Sequence, residues 1–294
     1  MTSFTRAKSQ APTVAEAFRH CERIVREHYE NFPVASLLLP PGKRPYVAAL
    51  YAFARAADDI ADEGSLQPEE RLSLLDEWKQ KLDACYAGNA DDPVFVALAA
   101  TVKATGIPKR LLVDLLTAFR MDITRHRYET FADLLGYCTC SANPVGRLVL
   151  TIFDQSNDLT NALSDQLCTA LQLANFWQDL SIDWSRGRLY IPLEDLARFG
   201  YTEGDISAGS SGQRFKSLMQ FQVQRTRELF QAGYPLVDMV SGRLRFELRL
   251  TYNGGMAILR KIEALDYDVL HGRPALGLGD RVALILTTVL GSLS

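Results

Sequence analysis

Apolar residues recur along this chain at the spacing of amphipathic helices, three or four positions apart. One such stripe consists of Leu72, Leu75, Trp78 and Leu82. Similar stripes predict helices over about 14–30, 44–62, 91–104, 108–125, 130–152, 161–182, 213–232 and 236–264. Glycine and proline separate these stretches, as at Asp92-Pro93 and Gly106, and few segments alternate as strands do. The pattern predicts an all-α fold of about ten helices packed as a bundle.

The composition is that of an ordinary globular protein. Its 294 residues are 47% hydrophobic and 23% charged, which excludes disordered, collagen-like and disulfide-scaffold proteins. The net charge of −3 leaves no basic footprint for nucleic acid. We expect a flexible N-terminus over residues 1–14 and a single all-α domain over residues 15–294.

Cysteine usage and the lack of long apolar runs suggest a compartment. The five cysteines are an odd number at irregular spacing, and the single residue between Cys138 and Cys140 is not the spacing of a zinc knuckle. We therefore expect reduced thiols in a cytoplasmic protein. The first fourteen residues carry no apolar signal core. The longest apolar run, residues 282–290, is about half a membrane span, so the sequence predicts a soluble protein.

Two aspartates break the apolar pattern of the helix predicted over 44–62. Asp58 and Asp62 are four residues apart and share one helix face, and Arg55 precedes Asp58 by three residues. Burial of two like charges is costly unless a cation compensates them. Two interpretations are open at this point: an acidic helix end in solvent, running into Glu63-Gly64, or a cation site.

A second polar stripe favours the cation site. Asn175, Asp179 and Asp183 follow one another at intervals of four in a strongly apolar segment, and Arg188 and Tyr190 come after it. Oxygen ligands suit Mg²⁺, which takes one or two carboxylates per ion together with water and phosphate oxygens. Arginines bind phosphate oxygens directly. Two acidic stripes, each close to an arginine, therefore predict a magnesium-bridged diphosphate site.

The residues of these two stripes resemble the motifs of the squalene/phytoene synthase family. The first stripe is similar to the family's DxxxD motif with a preceding arginine, and the second to its NxxxDxxxD motif followed by RxY. With HYENFPVASLLLP at 28–40 and YCTCSANPVGRL at 137–148, the similarity spans residues 20–275. The resemblance implies the isoprenoid synthase fold, a single helical bundle with a central active-site cavity, and a magnesium-dependent diphosphate site.

The resemblance also implies roles for individual residues. The expected magnesium ligands, all oxygen donors, are Asp58, Asp62, Asn175, Asp179 and Asp183. The four aspartates among them would be catalytic together with Tyr190, which would donate a hydrogen bond to the leaving group. Arg55, Arg188 and Asn175 would bind the diphosphate of the substrate. His28 would lie near it or on the surface, and Asn143 would hold a water or shape the turn beside Pro144.

Three strings are typical of one bacterial branch of the family. HYENFPVAS, SANPVGR and NFWQD are similar to the hydroxysqualene synthases of hopanoid-type pathways, and Cys140 stands where relatives carry a tyrosine implicated in condensation. This likeness implies an enzyme that ionises presqualene diphosphate, rearranges the carbocation and captures it with water, releasing hydroxysqualene and diphosphate. The alternatives are a head-to-head condensing synthase, forming presqualene diphosphate, squalene or phytoene, and a non-catalytic helical scaffold of the pathway.

The same resemblance sets the expected partners. The substrate would be presqualene diphosphate or another prenyl diphosphate and the cofactor Mg²⁺, and NADPH is not expected, since no GxGxxG fingerprint follows a predicted strand. A lipid substrate suggests peripheral contact with the inner face of the membrane through residues 282–290, unless that segment is a buried terminal helix. Association with other squalene-pathway enzymes is a further expectation. Aromatic candidates for facing the carbocation, whose alternative role is core packing, are Phe32, Phe53, Phe176 and Trp177.

Overall fold

The computed structural model describes the backbone of residues 12–27 and 40–290 and all of their side chains except those at 287, 289 and 290. Every regular element in those residues is a helix, as the apolar periodicity predicts. The chain divides into two compact units, residues 1–109 and residues 110–294. The expectation of a single domain over 15–294 is not tested by this division and stays a prediction. Residues 1–11 lie outside the described residues, and Val14 already belongs to the first helix.

The described part of unit 1 is organised around its second helix. Its helices are α1 (Val14–Glu27), α2 (Arg44–Asp62), α3 (Pro68–Tyr86) and α4 (Pro93–Thr105). Helix α2 packs against each of the other three, and its small residues Ala49, Ala52 and Ala57 are fully buried there. Close packing of this kind leaves only one side of α2 for polar groups.

An aromatic cluster completes the core of unit 1. Phe53 of α2 contacts Trp78 of α3 and Phe95 of α4, with ring centroids between 4.6 and 6.1 Å apart across the three pairs. Phe53 is fully buried among these rings. Of the two roles considered for Phe53, core packing is therefore the one that its contacts support.

The helix breakers of the sequence set both ends of α4. The Asp92 carboxylate accepts the N–H of Val94 at 3.0 Å, and Pro93 takes the first helical position, where a missing N–H needs no partner. Gly106 ends the helix with a φ of 70°, in the left-handed region that favours glycine. The predicted boundaries of this helix are confirmed to within two residues.

Unit 2 is built around α8. Its helices are α5 (Lys109–Thr124), α6 (Phe131–Ser141), α7 (Asn143–Ile152), α8 (Asp158–Gln178), α9 (Leu180–Ser185), α10 (Leu193–Arg198), α11 (Glu203–Ser207), α12 (Gln213–Gly233), α13 (Pro235–Met239), α14 (Gly242–Ala264) and α15 (Leu278–Leu290). Helix α8 packs against α6, α7, α12, α13 and α14. Its Trp177 is fully buried, and the indole N–H donates to Thr226 Oγ1 at 2.7 Å. Trp177 thus belongs to the core of unit 2.

The last helix presents an apolar face to solvent. The large residues there, each between 47% and 81% exposed, are Leu278, Val282, Ile285 and Leu286. The other face of α15 is tied to α14, where Asn253 Nδ2 donates to Thr288 Oγ1 at 3.0 Å and Lys261 pairs with Asp280 at 2.8 Å. The alternative of a buried terminal helix is wrong at four described positions of the segment 282–290, namely Val282, Ala283, Ile285 and Leu286, whereas Thr288 is buried. No helix in the described ranges is long and apolar enough to cross a membrane.

Candidate functional site

The first acidic motif occupies the last two turns of α2. The Arg55 guanidinium lies 3.3 Å from Asp58 Oδ2, 2.6 Å from Asp59 Oδ1 and 2.5 Å from Glu63 Oε1. The predicted proximity of Arg55 and Asp58 is confirmed. Sequence reasoning misses Asp59 and Glu63, although the four-residue interval from Arg55 to Asp59 is a recognised spacing for a helical ion pair.

Asp58 is a carboxyl group that holds its proton unusually well. Loss of hydration within the protein raises the pKa of Asp58 to about 6, the negative charge of Asp62 adds to the rise, and Arg55 opposes it. The side chain still exposes 44% of its surface, so a cation from solvent can reach it. A partly dehydrated carboxylate beside a like charge gains from a nearby cation. These properties favour the cation site over an ordinary helix end in solvent.

The second acidic motif spans a helix break that the periodicity does not predict. Helix α8 ends at Gln178 and α9 begins at Leu180, so the continuous helix predicted over 161–182 is wrong at Asp179, which joins the two. The four-residue register survives this break. The Asp179 N–H donates to Asn175 O at 2.9 Å, and the Asp183 N–H donates to Asp179 O at the same distance. The three motif residues therefore keep the spacing of one helical stripe.

Arg273 binds Asp179 and is absent from the predicted site. Its Nε donates to Asp179 Oδ1 at 2.6 Å and a terminal nitrogen donates to Oδ2 at 3.3 Å. The neighbouring Gln178 donates from Nε2 to the carbonyl of Pro274 at 2.6 Å. The signal that could have found Arg273 is its place in the string HGRP, which is similar to a C-terminal arginine segment of the family. No local pattern links residues 94 positions apart.

Arg188 and Tyr190 follow α9 and have different surroundings: Arg188 contacts a motif residue, whereas Tyr190 is buried among aromatic rings. The Arg188 N–H donates to Asp183 O at 2.9 Å, which keeps these two predicted residues together. Tyr190 is only 8% exposed, and its ring stacks on Phe176 with a centroid distance of 3.7 Å and a 6° angle between the planes. Its ring also lies 5.9 Å from those of Tyr128 and Tyr137, measured between centroids. The hydrogen bond from Tyr190 to a leaving group stays a prediction.

Asn143 lies at the first position of α7, away from solvent. It is 8% exposed, and its Oδ1 accepts a hydrogen bond from Thr169 Oγ1 of α8 at 3.0 Å. This contact joins α7 to α8, and the role of holding a water stays a prediction. His28 and Phe32 lie outside the described residues.

The donor atoms of both motifs fit magnesium. Every predicted ligand offers carboxylate or amide oxygens, and Mg²⁺ typically keeps a few protein oxygens and completes its shell with water and phosphate. Within residues 12–27 and 40–290, no three His, Cys, Asp or Glu side chains form a ready-made metal cluster.

A family model and two relatives are similar in sequence to this chain. The sequence model of the family described as squalene/phytoene synthase matches residues 25–280. The hydroxysqualene synthase of Sinorhizobium fredii is 36% identical over 240 residues, covering 81% of this chain and 80% of that protein. The phytoene synthase of Arthrospira platensis is 31% identical over 274 residues, covering 89% and 88%.

Solved structures show the same fold. The squalene synthase HpnC from Alicyclobacillus acidocaldarius superimposes with a TM-score of 0.83 at 40% identity, covering 86% of this chain and 95% of that one. A dehydrosqualene synthase crystallised with a ligand gives the same TM-score at 23% identity, covering 95% and 98%, a likeness of fold alone. The predicted all-α isoprenoid synthase fold is confirmed.

Proposed function

Because the chain belongs to the squalene/phytoene synthase family, whose members are isoprenoid synthases, we propose that it is a hydroxysqualene synthase. It would convert presqualene diphosphate and water to hydroxysqualene and diphosphate, with Mg²⁺ and without NADPH. The observation that carries the diphosphate chemistry is the contact of an arginine with an aspartate in both acidic motifs, Arg55 with Asp58 and Arg273 with Asp179.

Diphosphate release follows from these charges. In unit 1 the ligands would be Asp58 and Asp62; in unit 2 they would be Asn175, Asp179 and Asp183. Bound Mg²⁺ would supply Lewis-acid stabilisation of the negative charge on the leaving group. Arg55 in unit 1 and Arg188 in unit 2 would each neutralise negative charge on diphosphate bound at their own motif as the C–O bond breaks. Fixed cations aimed at a growing charge are usually the largest contribution to such catalysis.

The carbocation that remains needs dry, polarisable surroundings. The stacked pair of Phe176 and Tyr190 offers aromatic faces, each of which stabilises a nearby cation by about 0.5–2 kcal/mol. Asn143 would orient the water that ends the reaction, and its side chain is held in place by the hydrogen bond that Oδ1 accepts from Thr169. The oxygen of that water would become the hydroxyl of the product, and its proton would leave to solvent.

The choice of substrate rests on sequence likeness and on one residue. Identity is 36% with the Sinorhizobium fredii hydroxysqualene synthase, against 31% with the phytoene synthase. Cys140 of α6 stands where, by the family resemblance, relatives carry a tyrosine implicated in condensation. The rival proposal, a condensing synthase, is favoured by the longer match to the phytoene synthase, 89% of this chain against 81%. A non-catalytic scaffold would have had no reason to keep every motif aspartate.

Product analysis separates these proposals. Purified protein with Mg²⁺ and no NADPH is incubated with presqualene diphosphate or with farnesyl diphosphate, and the products are identified by mass spectrometry. Hydroxysqualene from the first substrate, with the second unchanged, is the expected result. Presqualene diphosphate, phytoene or a C30 hydrocarbon formed from simple prenyl diphosphates would instead establish a condensing synthase, and no turnover of either would favour the scaffold.

We further propose that α15 rests on the inner face of the membrane, where such a lipid substrate would be found and other squalene-pathway enzymes could associate. Its outward residues Val282 and Leu286 are half exposed, and Arg281 beside them is an exposed cation suited to anionic headgroups. Binding to phosphatidylglycerol vesicles should fall in the double variant Val282→Glu/Leu286→Glu while the thermal midpoint stays constant. Unchanged vesicle binding would contradict this placement.

A further inference from the structure

Arg273 occupies both carboxylate oxygens of a predicted magnesium ligand. Its two nitrogens reach Asp179 Oδ1 and Oδ2 at 2.6 and 3.3 Å, in the fork geometry that gives strong, directional arginine–carboxylate pairs. The Asp179 side chain is 18% exposed, whereas that of Arg273 is 48% exposed. The carboxylate is thus partly enclosed, while the guanidinium keeps access to solvent and to any anion that arrives there.

The segment that carries Arg273 is held on both sides of it. Gln178, the last residue of α8, donates to the Pro274 carbonyl at 2.6 Å. On the other side, His271 Nδ1 lies 2.9 Å from the Asp268 carboxylate. These contacts fix the backbone next to the α8–α9 break, so Arg273 can leave Asp179 by rotation of its own side chain.

We propose that Arg273 is an internal competitor for Asp179, which couples magnesium binding at the second motif to diphosphate binding. The inference rests on the proposed function, since it takes Asp179 as a magnesium ligand. The positive charge of Arg273 repels a metal ion at these two oxygens, and its N–H groups occupy lone pairs that the ion would use, so the ion binds Asp179 tightly only when it displaces Arg273. Diphosphate lowers the cost of that displacement, because its oxygens give the released guanidinium a new partner.

This competition has a thermodynamic consequence. Magnesium alone binds weakly, magnesium with diphosphate binds well, and by linkage each ligand raises the affinity for the other by the same factor. Gln178 acts as a positioning residue, because its contact with Pro274 keeps Arg273 within reach of Asp179 and of the incoming phosphate.

Metal binding without diphosphate provides the first test. Mn²⁺, used as a paramagnetic substitute for Mg²⁺, is titrated into wild-type protein and Arg273→Gln, and free Mn²⁺ is measured by electron paramagnetic resonance. We expect Arg273→Gln to bind Mn²⁺ roughly fivefold more tightly, equivalent to about 1 kcal/mol. The Mn²⁺ affinity of Arg273→Lys, which keeps the positive charge but not the two-pronged hydrogen bonding, should lie between those of wild type and Arg273→Gln. Arg273→Lys takes the place of Arg273→Gln in the test if the glutamine variant does not fold.

Arg147 of α7 offers a matched control. It forms an equivalent fork with Asp165 of α8, at 2.9 and 2.5 Å, and Asp165 is 20% exposed, close to the value for Asp179. Asp165 belongs to no acidic motif. Arg147→Gln should therefore leave Mn²⁺ affinity unchanged, which separates release of a metal ligand from a general loss of positive charge.

The affinity for magnesium pyrophosphate provides the second test. Here the substitution of Arg273 should weaken binding, whereas it should strengthen the binding of Mn²⁺ alone. Arg273→Gln should bind the complex several-fold more weakly than wild type in calorimetry, since the released guanidinium is missing, and Gln178→Ala should show both effects in smaller measure. If Arg273→Gln weakens both ligands or leaves Mn²⁺ affinity unchanged, the competition is overturned. If wild-type protein fails to bind magnesium pyrophosphate at all, the proposed function itself fails.

Discussion

At the level of single residues, Asp58 shows how an acidic motif lowers the stability of the folded state at neutral pH. Dehydration and the charge of Asp62 raise the pKa of Asp58 to about 6, above the value of about 3.9 that an aspartate has in an unfolded chain. The folded state therefore binds the proton of Asp58 more tightly. Its contribution to stability is present at low pH and is lost as the pH rises through about 6.

Asp58→Asn should therefore stabilise the protein at neutral pH. The full shift would correspond to about 3 kcal/mol, but the side chain is 44% exposed, so solvent screening reduces the expected gain to about 1 kcal/mol. Thermal unfolding in EDTA should show a higher midpoint for Asp58→Asn at pH 7.5 and little difference at pH 4. A variant that is less stable than wild type at pH 7.5 would contradict the assigned cause.

Three thiols should be inert in the folded protein. All five cysteines are free, and burial raises the pKa of Cys21 and Cys138 to about 12 and that of Cys85 to about 11. Because the thiolate is the reactive form, their reaction rates at pH 8 should fall roughly 100-fold or more below that of an exposed cysteine. Titration with Ellman's reagent should reveal them only after guanidinium is added. Rapid reaction of all five in the native protein would refute this.

At the level of elements, local sequence patterns predict helix ends and ion pairs between residues that are close in sequence. The ends of α4 follow from Asp92, Pro93 and Gly106, and the pairing of Arg55 with Asp58 follows from their three-residue spacing. The break at Asp179 does not, since the apolar periodicity and the backbone register both continue through it. The contact of Arg273 with Asp179 could not be found this way either, because tertiary folding alone brings together residues so distant in sequence.

The close packing of α8 with α12 depends on a glycine. A Cβ at Gly233 would lie 2.9 Å from the backbone nitrogen of Leu167, and that neighbour cannot rotate away. Gly233→Ala should lower the free energy of unfolding by about 1–3 kcal/mol, as overpacked cores do.

Gly136 in α6 is the matched control, since a Cβ there meets nothing within 4 Å. Gly136→Ala should raise stability by up to about 1 kcal/mol through helix propensity. Urea unfolding of both variants measures the difference, and equal effects of the two substitutions would contradict the packing explanation.

At the scale of the whole molecule, the sequence predicts the fold class and the family. It does not determine which substrate the enzyme takes. Helical periodicity along the chain predicts an all-α fold, and the resemblance of the two acidic motifs to the family implies the isoprenoid synthase fold, which the similarity to HpnC confirms. In the proposed function, substrate choice would depend on the shape of the surroundings of a few residues, such as Cys140 and Asn143. Periodicity and spacing carry no information about that shape, which is why a condensing synthase stays the rival proposal.

The origin of the product oxygen tests the central claim most directly. Protein, Mg²⁺ and presqualene diphosphate are incubated in H₂¹⁸O without NADPH, and the C30 product is analysed by mass spectrometry, with Asp183→Asn as the control that should lose at least about 100-fold in rate. Water capture of the carbocation predicts hydroxysqualene carrying one ¹⁸O atom. An unlabelled alcohol, a hydrocarbon, or unchanged activity in Asp183→Asn would contradict the account.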